Sequence, residues 1–263
     1  MFAIEILCVG NELLAGITLN TNAHWLAAQI AKAGGTVGRI TVVRDNLGAI
    51  SSAVQESLAR KPDILVITGG LGATYDDMTL EGVAKAVGRK VVIDERAVQM
   101  LKNSYARRNL HYRINKVPLK MATIPEGSTP IENPVGSAPS VVIDGKIFCL
   151  PGVPGEMKAV FTDHILPLVK EGVGGFVAKE VNYSVRGVSE AMIAPALAKI
   201  VRANPDHAVY LKTHPKGYYK KMMPQIRVQL ICMGDDAKKV KKRLDKISAQ
   251  LLKEIKRLGG RLS

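Results

Sequence analysis

The chain has 263 residues, 47% of them hydrophobic, which is enough for one large domain or two smaller ones with a substantial core. No apolar run is long enough to span a membrane, and the sequence begins directly in a strand without a signal peptide. We therefore expect a cytoplasmic protein with no membrane partner. The three cysteines are far apart and lack CxxC spacing, which indicates reduced core thiols. The formal net charge of +14 favours anionic ligands or nucleic acid, unless most of it lies on a solvated face.

The first part of the chain alternates between strand and helix patterns. Short β-branched apolar runs predict the strands, and apolar residues at helical spacing predict the helices. Such a βαβαβα order gives a parallel sheet with right-handed crossovers and helices on both faces. The predicted elements, strand and helix in turn, cover about 2–9, 22–33, 37–43, 50–58, 64–67 and 79–87.

The middle of the chain adds shorter elements to this α/β domain, which we place at 1–172. A strand at 91–93 and a helix at 95–108 lead into a basic segment at 107–120, which is either a lid over an acidic ligand or solvated surface. A β-hairpin is expected at 141–150. The last helix of the domain begins near Pro154, and its apolar stripe is Val160, Phe161, Ile165 and Leu168.

The end of the chain predicts a second, smaller domain at 176–263. A glycine-rich turn at 172–175 separates it from the first. Its strand and helix patterns follow the order βαββα, which is typical of a small two-layer α+β domain. These elements cover about 177–185, 189–204, 208–213, 225–232 and 235–258.

The stretch at 64–81 carries the clearest sign of a ligand site. A buried strand runs directly into TGGLG at 68–72 and then into a helix. A glycine turn in this position lets backbone amides and a helix N-terminus approach a phosphate. Asp76 and Asp77 would repel that phosphate unless a divalent cation lies between them, although either could instead cap the helix. The turn matches neither a Walker A loop, because no Lys follows the glycines, nor the GxGxxG fingerprint.

Acidic turns follow three of the predicted parallel strands, at 10–12, 44–46 and 68–77. Each acid alone is readily explained as a helix cap or a turn residue. Ligands of parallel sheets bind outside the carboxyl ends of the strands, so we expect the three turns to converge on one crevice. Three acidic turns at equivalent strand ends indicate a shared site.

Four motifs occur in a fixed order: GNELLAG at 10–16, TNAHWLA at 21–27, TGGLGATYDD at 68–77 and LPGVPGEM at 150–157. Together they resemble the amino-terminal region of the CinA (competence/damage-inducible) protein family, whose molybdopterin-binding fold is shared with MogA and MoaB. YLKTHPKG at 210–217 is similar to the KH-type segment that follows in that family. The resemblance implies a three-layer α/β/α domain with a mostly parallel sheet, a small KH-like domain and a homo-oligomer. It implies no carboxy-terminal deamidase domain, since CinA proteins with that domain are longer.

The resemblance also implies a metal-dependent hydrolase that converts ADP-ribose to AMP and ribose 5-phosphate. Its catalytic residues would be Asp45, Asp76, Asp77 and Glu81. The first three of these would bind Mg²⁺, Mn²⁺ or Co²⁺. Lys212 and His214 would reach the site from a neighbouring subunit, although His214 is equally explained as a surface residue. The residues expected to bind a nucleotide or pterin phosphate are Gly10, Asn11, Glu12, Asn22, Gly69, Gly70, Leu71, Gly72, Thr74, Ser137, Lys212 and His214.

Three positions depart from the family pattern. Ala73 replaces a Pro, Asn11 replaces an Asp that could bind metal, and Leu71 replaces the Thr of molybdopterin-adenylylating relatives, which disfavours adenylyl transfer. A molybdopterin-binding or adenylylating protein is the main alternative, and it would use the same pocket. A nucleic-acid-binding module is disfavoured, because the second domain has no GxxG between helices and its basic last helix has a complete apolar stripe.

Overall fold

A computed structural model of the chain shows two compact units, Met1–Val173 and Gly174–Ser263. The first unit contains one six-stranded sheet, in the order β2-β1-β3-β8-β7-β6, and a separate two-stranded sheet of β4 and β5. Its elements are β1 (Ala3–Val9), α1 (Asn11–Leu14), α2 (Thr21–Lys32), β2 (Thr36–Val43), α3 (Leu47–Ala59), β3 (Ile64–Thr68), α4 (Thr79–Ala86), β4 (Val91–Ile93), α5 (Glu95–Arg107), α6 (Lys116–Lys120), β5 (Thr123–Pro125), β6 (Thr129–Ile131), β7 (Ser140–Ile143), β8 (Ile147–Leu150), α7 (Pro154–Val160) and α8 (Leu166–Gly172). The structure describes residues 2–108, 116–175, 177–204, 209–219 and 223–263.

The large sheet lies between two helical layers. Successive residues of β3 face opposite sides, as a strand requires: Leu65 and Ile67 pack with α3, α4 and α5, whereas Ile64 and Val66 pack with α2, α7 and α8. All five residues of β3 are buried, which explains their unbroken apolar run. The predicted three-layer α/β/α architecture is confirmed.

Most neighbouring strands of this sheet are parallel. β1 pairs with β2 and β3, and β3 pairs with β8, all in parallel register. The antiparallel edge comes from the predicted hairpin of β7 and β8, with β6 added beyond it. Asp144 and Gly145 at its turn have φ of 52° and 66°, as a tight hairpin turn needs.

The helix after Pro154 contains a π-helical turn at Phe161–Ile165, between α7 and α8. A π turn holds an extra residue, so it rotates every later side chain around the helix axis. Of the predicted stripe, Val160, Phe161 and Ile165 are fully buried, but Leu168 is 37% exposed and Val169 is buried in its place. The prediction for Leu168 was therefore wrong, because it assumed 3.6 residues in every turn.

The second unit is a four-stranded antiparallel sheet packed with two helices. The elements are β9 (Val177–Arg186), α9 (Glu190–Arg202), β10 (Val209–Tyr219), β11 (Met223–Gly234), α10 (Ala237–Arg257) and β12 (Arg261–Leu262). The strand order is β10-β11-β9-β12. The predicted βαββα order is present, followed by a short β12 that the sequence did not predict. No helix in the described ranges is long and apolar enough to cross a bilayer.

Candidate functional site

A cleft of about 290 Å³ opens in the first unit where β1, β2 and β3 end. This is the edge at which ligands bind in parallel sheets. All three acidic turns that follow predicted strands reach it. The lining residues are Cys8, Val9, Gly10, Glu12, Leu13, Thr18, Leu19, Asn20, Thr21, Asn22, Asp45, Thr68, Gly69, Gly70, Thr74, Asp76, Asp77, Gly152 and Pro154.

The glycine loop after β3 is held by close backbone packing. Gly69 has φ of +105°, and a Cβ atom on it would lie 2.1 Å from the carbonyl oxygen of Val9. Gly70 has φ of +66°, and its Cβ would lie 2.4 Å from the hydroxyl oxygen of Thr79. That hydroxyl donates to the Gly69 carbonyl at 2.7 Å, while the side chain of Leu71 is buried in the core. Contacts with the start of α4 and with the hydrophobic core thus hold the glycine loop in place.

Four successive backbone amides in this loop, those of residues 70–73, donate to no acceptor among the residues that the structure describes. The flanking amides are bonded: Gly69 donates to Leu150 O at 3.1 Å, and Thr74 donates to Asp77 at 2.8 Å. Successive unpaired amides in a tight turn create positive potential that suits an anion. Gly70 is the member of this run that lines the cleft.

Thr74 forms hydrogen bonds with both aspartates of the loop. Its amide and hydroxyl both donate to Asp77 Oδ2, and the hydroxyl also lies 2.6 Å from Asp76 Oδ1. The hydrogen bond from Thr74 is the largest cause that holds the pKa of Asp76 below its usual range; the Asp76 amide and the Lys120 charge add to it. Neither aspartate caps α4, whose N-cap is Met78 without a side-chain bond, so that interpretation was wrong.

The other end of the cleft is built from the turns after β1 and β2. The Asp45 carboxylate accepts a 2.7 Å bond from the Asn11 amide and ties the two turns together. Asn11 therefore contributes its backbone, which an Asp at this position would also supply. The Glu12 carboxylate folds back over Gly10, where a Cβ atom would lie 2.5 Å from it.

Hydrogen bonds of Asn22 link the remaining walls of the cleft. Its amide nitrogen donates to Gly152 O at 2.7 Å and to Thr68 Oγ1 at 3.2 Å, and the Thr68 hydroxyl donates to Pro151 O at 2.8 Å. These bonds connect α2, the end of β3 and the turn after β8. The structure thus gives Asn22 a role in shaping the cleft as well as a place in its lining.

Several predicted residues lie outside the cleft lining. Glu81 lies behind the glycine loop, beside a cavity of about 10 Å³ that it shares with Leu71 and Gly72. Ser137 interacts instead with Ser104 Oγ at 3.3 Å, and Arg108 also reaches it. In the second unit, Lys212 and His214 both lie on β10. The Nε2 atom of His214 lies 3.2 Å from Gln229 Oε1.

Lys120 was missed as a site residue. Its ammonium group donates to the Thr74 carbonyl, across 46 positions of sequence. The sequence showed it only as the last residue of the basic segment at 107–120. The part of that segment at 109–115 lies outside the described residues, while Arg107 pairs with Glu132. Only the folded chain shows that Lys120 reaches the glycine loop.

The three predicted metal ligands share the cleft but do not form a compact set. Asp45, Asp76 and Asp77 all line it, and Asp45 and Asp77 already accept backbone N–H bonds. Over the described ranges, no three His, Cys, Asp or Glu side chains are grouped closely enough to hold an ion. The arrangement therefore does not fit a metal whose ligands all come from the protein.

Comparisons with known proteins find a matching family and similar chains. Residues 5–171 match the family described as "Probable molybdopterin binding domain". A protein of Metallosphaera sedula is 39% identical over 265 residues, covering 100% of this chain and 97% of its own length. The crystal structure of CinA from Thermoplasma acidophilum, a protein of unknown function, is 39% identical with a TM-score of 0.57, covering 65% of this chain and 98% of its own. MoaB from Thermus thermophilus matches at 20% identity with a TM-score of 0.40, covering 65% of this chain and 98% of its own.

Proposed function

The chain belongs to the family of probable molybdopterin-binding domains, and on that premise we propose that its cleft binds a phosphorylated pterin of the molybdopterin type. The phosphate would lie at the glycine loop, and the pterin would extend between the turns after β1 and β2. The run of unpaired amides at residues 70–73 is the observation that carries this proposal. The volume of about 290 Å³ lies at the lower end of the range for small-molecule pockets.

The chemistry of the lining supports recognition of a polar ligand. Asn22 and Thr68 are fixed by hydrogen bonds at one wall, and Asp45 is fixed at the other. A pterin ring carries several N–H donors, and carboxylate oxygens accept from such groups. The Asp45 carboxylate uses one oxygen for the Asn11 amide, which leaves its other oxygen to accept from a ligand.

A second candidate is hydrolysis of ADP-ribose to AMP, favoured by the four carboxylates that line one cleft. A general base works best when its pKa lies near the working pH. The pKa of Asp76 is held low by Thr74, so Asp76 is a weak base. Adenylyl transfer is a third possibility for this fold, but the Leu71 side chain is buried and Leu71 lies outside the cleft lining. Asp45 and Asp77 already accept backbone N–H bonds and Asp76 interacts with the Thr74 hydroxyl, so we favour binding without hydrolysis.

The test is calorimetric titration of the protein with molybdopterin and with ADP-ribose, with AMP release followed in parallel. We expect molybdopterin to bind and no AMP to form. Thr18 lines the cleft and is exposed, so Thr18→Glu should weaken binding at least about tenfold by adding a carboxylate to the lining of a cleft that must hold an anion. Thr162→Glu is the matched control, because Thr162 is exposed on the π-helical turn and lies outside the lining.

Each alternative has a distinct outcome. AMP release that depends on Mg²⁺, Mn²⁺ or Co²⁺, and that Asp77→Asn abolishes while Asp163→Asn does not, would establish hydrolysis in place of simple binding. Equal loss of binding in Thr18→Glu and Thr162→Glu would show that the ligand does not occupy this cleft. If the protein bound neither molybdopterin nor ADP-ribose, the proposed function would be refuted.

A further inference from the structure

Lys120 stands at the end of α6, and its backbone is anchored by the core. The next two residues, Met121 and Ala122, are buried in the hydrophobic cluster that covers one face of the large sheet. Their amides close turns on Pro118 and Leu119 at 3.1 and 3.0 Å. The Lys120 side chain therefore extends from a fixed point.

The ammonium group of Lys120 contacts the acidic side of the glycine loop. It donates to the Thr74 carbonyl, and its charge contributes to the low pKa of Asp76. The Lys120 side chain also lines the small cavity behind the loop, together with Asp77 and Glu81. Asp77 and Glu81 thus share this small cavity with Lys120, and the Lys120 charge acts on Asp76.

Among the described residues that line the cleft or the small cavity behind the glycine loop, Lys120 is the one that carries a positive charge. The same residues include Glu12, Asp45, Asp76 and Asp77. A phosphate that entered this cleft would therefore meet strong negative charge if Lys120 were removed.

Thr74 transmits the position of Lys120 to both aspartates. Its carbonyl accepts from Lys120, its amide donates to Asp77, and its hydroxyl interacts with Asp76 and Asp77. Every polar group of Thr74 is used in this cluster. The Thr74 carbonyl also accepts from the Asp77 amide at 3.3 Å, so loss of the Lys120 bond would loosen Thr74 and alter the orientation of both carboxylates without freeing the residue.

We propose that Lys120 is a positioning residue that holds Thr74 and offsets the loop carboxylates, so that an anionic ligand binds without a metal ion held by the protein. This inference rests on the proposed function. It follows from the Lys120 contacts and from the absence of a three-ligand metal group in the described parts of the chain. Lys120 takes the charge-offsetting role that the sequence assigned to a divalent cation.

The test measures the affinity for molybdopterin and for ADP-ribose, each in EDTA and in millimolar Mg²⁺. In the wild type, we expect the two conditions to agree within about twofold. Lys120→Met should weaken binding about tenfold in EDTA, and Mg²⁺ should restore most of the loss, because a cation can then bind the exposed carboxylates and the phosphate. Lys120→Arg, which keeps the charge, should stay within about threefold of the wild type.

Lys85→Met is the matched control. Lys85 is exposed on α4, and its removal changes the net charge equally without touching the loop. We expect its affinities to equal those of the wild type in both conditions. Recovery by Mg²⁺ in Lys120→Met alone is a result that a merely structural role of Lys120 would not produce.

Two outcomes would overturn the proposal: a wild type that binds only with Mg²⁺, or a Lys120→Met variant that binds as tightly as the wild type in EDTA. If neither compound binds the wild type, the proposed function fails, and a ligand-free measurement decides the role of Lys120. In the ligand-free protein, Lys120→Met should shift the amide NMR signals of Thr74, Asp76 and Asp77, because the Thr74 carbonyl loses its bond to the ammonium group. Lys120→Arg and Lys85→Met should leave these signals near their wild-type positions. Unshifted Thr74, Asp76 and Asp77 signals in Lys120→Met would overturn the proposal.

Discussion

Replacing Gly69 by Ala should be one of the most damaging single changes in the first unit. Its φ of +105° is outside the region that L-residues adopt, which costs about 1–3 kcal/mol. The added Cβ would also lie 2.1 Å from the carbonyl oxygen of Val9, so β1 and β3 must move apart. Overpacking of this kind costs about 1–3 kcal/mol. The sum is a loss of about 2–6 kcal/mol in the free energy of unfolding.

Substitutions at two other glycines distinguish the cost of backbone strain from the cost of the steric clash. Gly16 has φ of +70°, but an added Cβ would have no atom within 4 Å, so Gly16→Ala should cost only the backbone strain, about 1–2 kcal/mol. Gly155 lies in α7 with open space where a Cβ would stand. Gly155→Ala should stabilise the protein by about 0.5–1 kcal/mol, because Ala loses less backbone entropy in a helix.

The measurement is guanidinium unfolding followed by fluorescence of Trp25. This is the only tryptophan of the chain, and its ring packs edge-on against Phe161 at 5.6 Å, so the signal reports the first unit. Stability should fall in the order Gly155→Ala, wild type, Gly16→Ala, Gly69→Ala. If Gly69→Ala and Gly16→Ala were equally stable, the close approach of the glycine loop to β1 would be refuted.

Three further expectations concern titratable and buried groups. Arg60 binds Glu5 through two 2.7 Å bonds that lower the Glu5 pKa. This stabilisation is present above the ordinary Glu pKa of about 4.3 and is lost as pH falls through the lower pKa of the folded state. The difference in the free energy of unfolding between wild type and Arg60→Met should therefore shrink in acid, and a pH-independent difference would contradict this. Burial raises the pKa of the Cys149 thiol to about 12, so iodoacetamide should label it only after unfolding, and stoichiometric labelling of the folded protein would refute its burial. Asn133 donates to Glu156 at 2.6 Å, so Asn133→Asp should cost about 1–3 kcal/mol at neutral pH and recover in acid as the facing carboxylates protonate; denaturation at both pH values tests this, and no recovery would contradict it.

Much of the first unit follows from local sequence rules. The β-branched run of β3, the side-chain cap of Asn46 on α3 and the Asp144-Gly145 turn each depend on residues a few positions apart. The π-helical turn could not be predicted from the sequence, because its extra residue depends on how the helix packs. Its effect is visible only in the folded chain, where Leu168 is exposed. The two-residue β12 is too short for any strand pattern.

The strand ends that form the cleft could be predicted from the sequence. Parallel strands bring Glu12, Asp45 and Asp77 to one edge because their carboxyl ends meet there. The hydrogen bonds inside the loop were not predictable, since whether Asp77 caps α4 or bonds back to Thr74 depends on the loop backbone. The approach of Lys120 required the tertiary fold, because its partner lies 46 positions away.

The most direct test of the account is an amide NMR titration of the labelled protein with molybdopterin. If the glycine loop binds the phosphate, the largest shifts should fall on the unpaired amides of residues 70–73, and Thr18→Glu should reduce these shifts at equal ligand concentration. Saturable binding with its largest shifts in the second unit, or no shifts at all, would contradict the account.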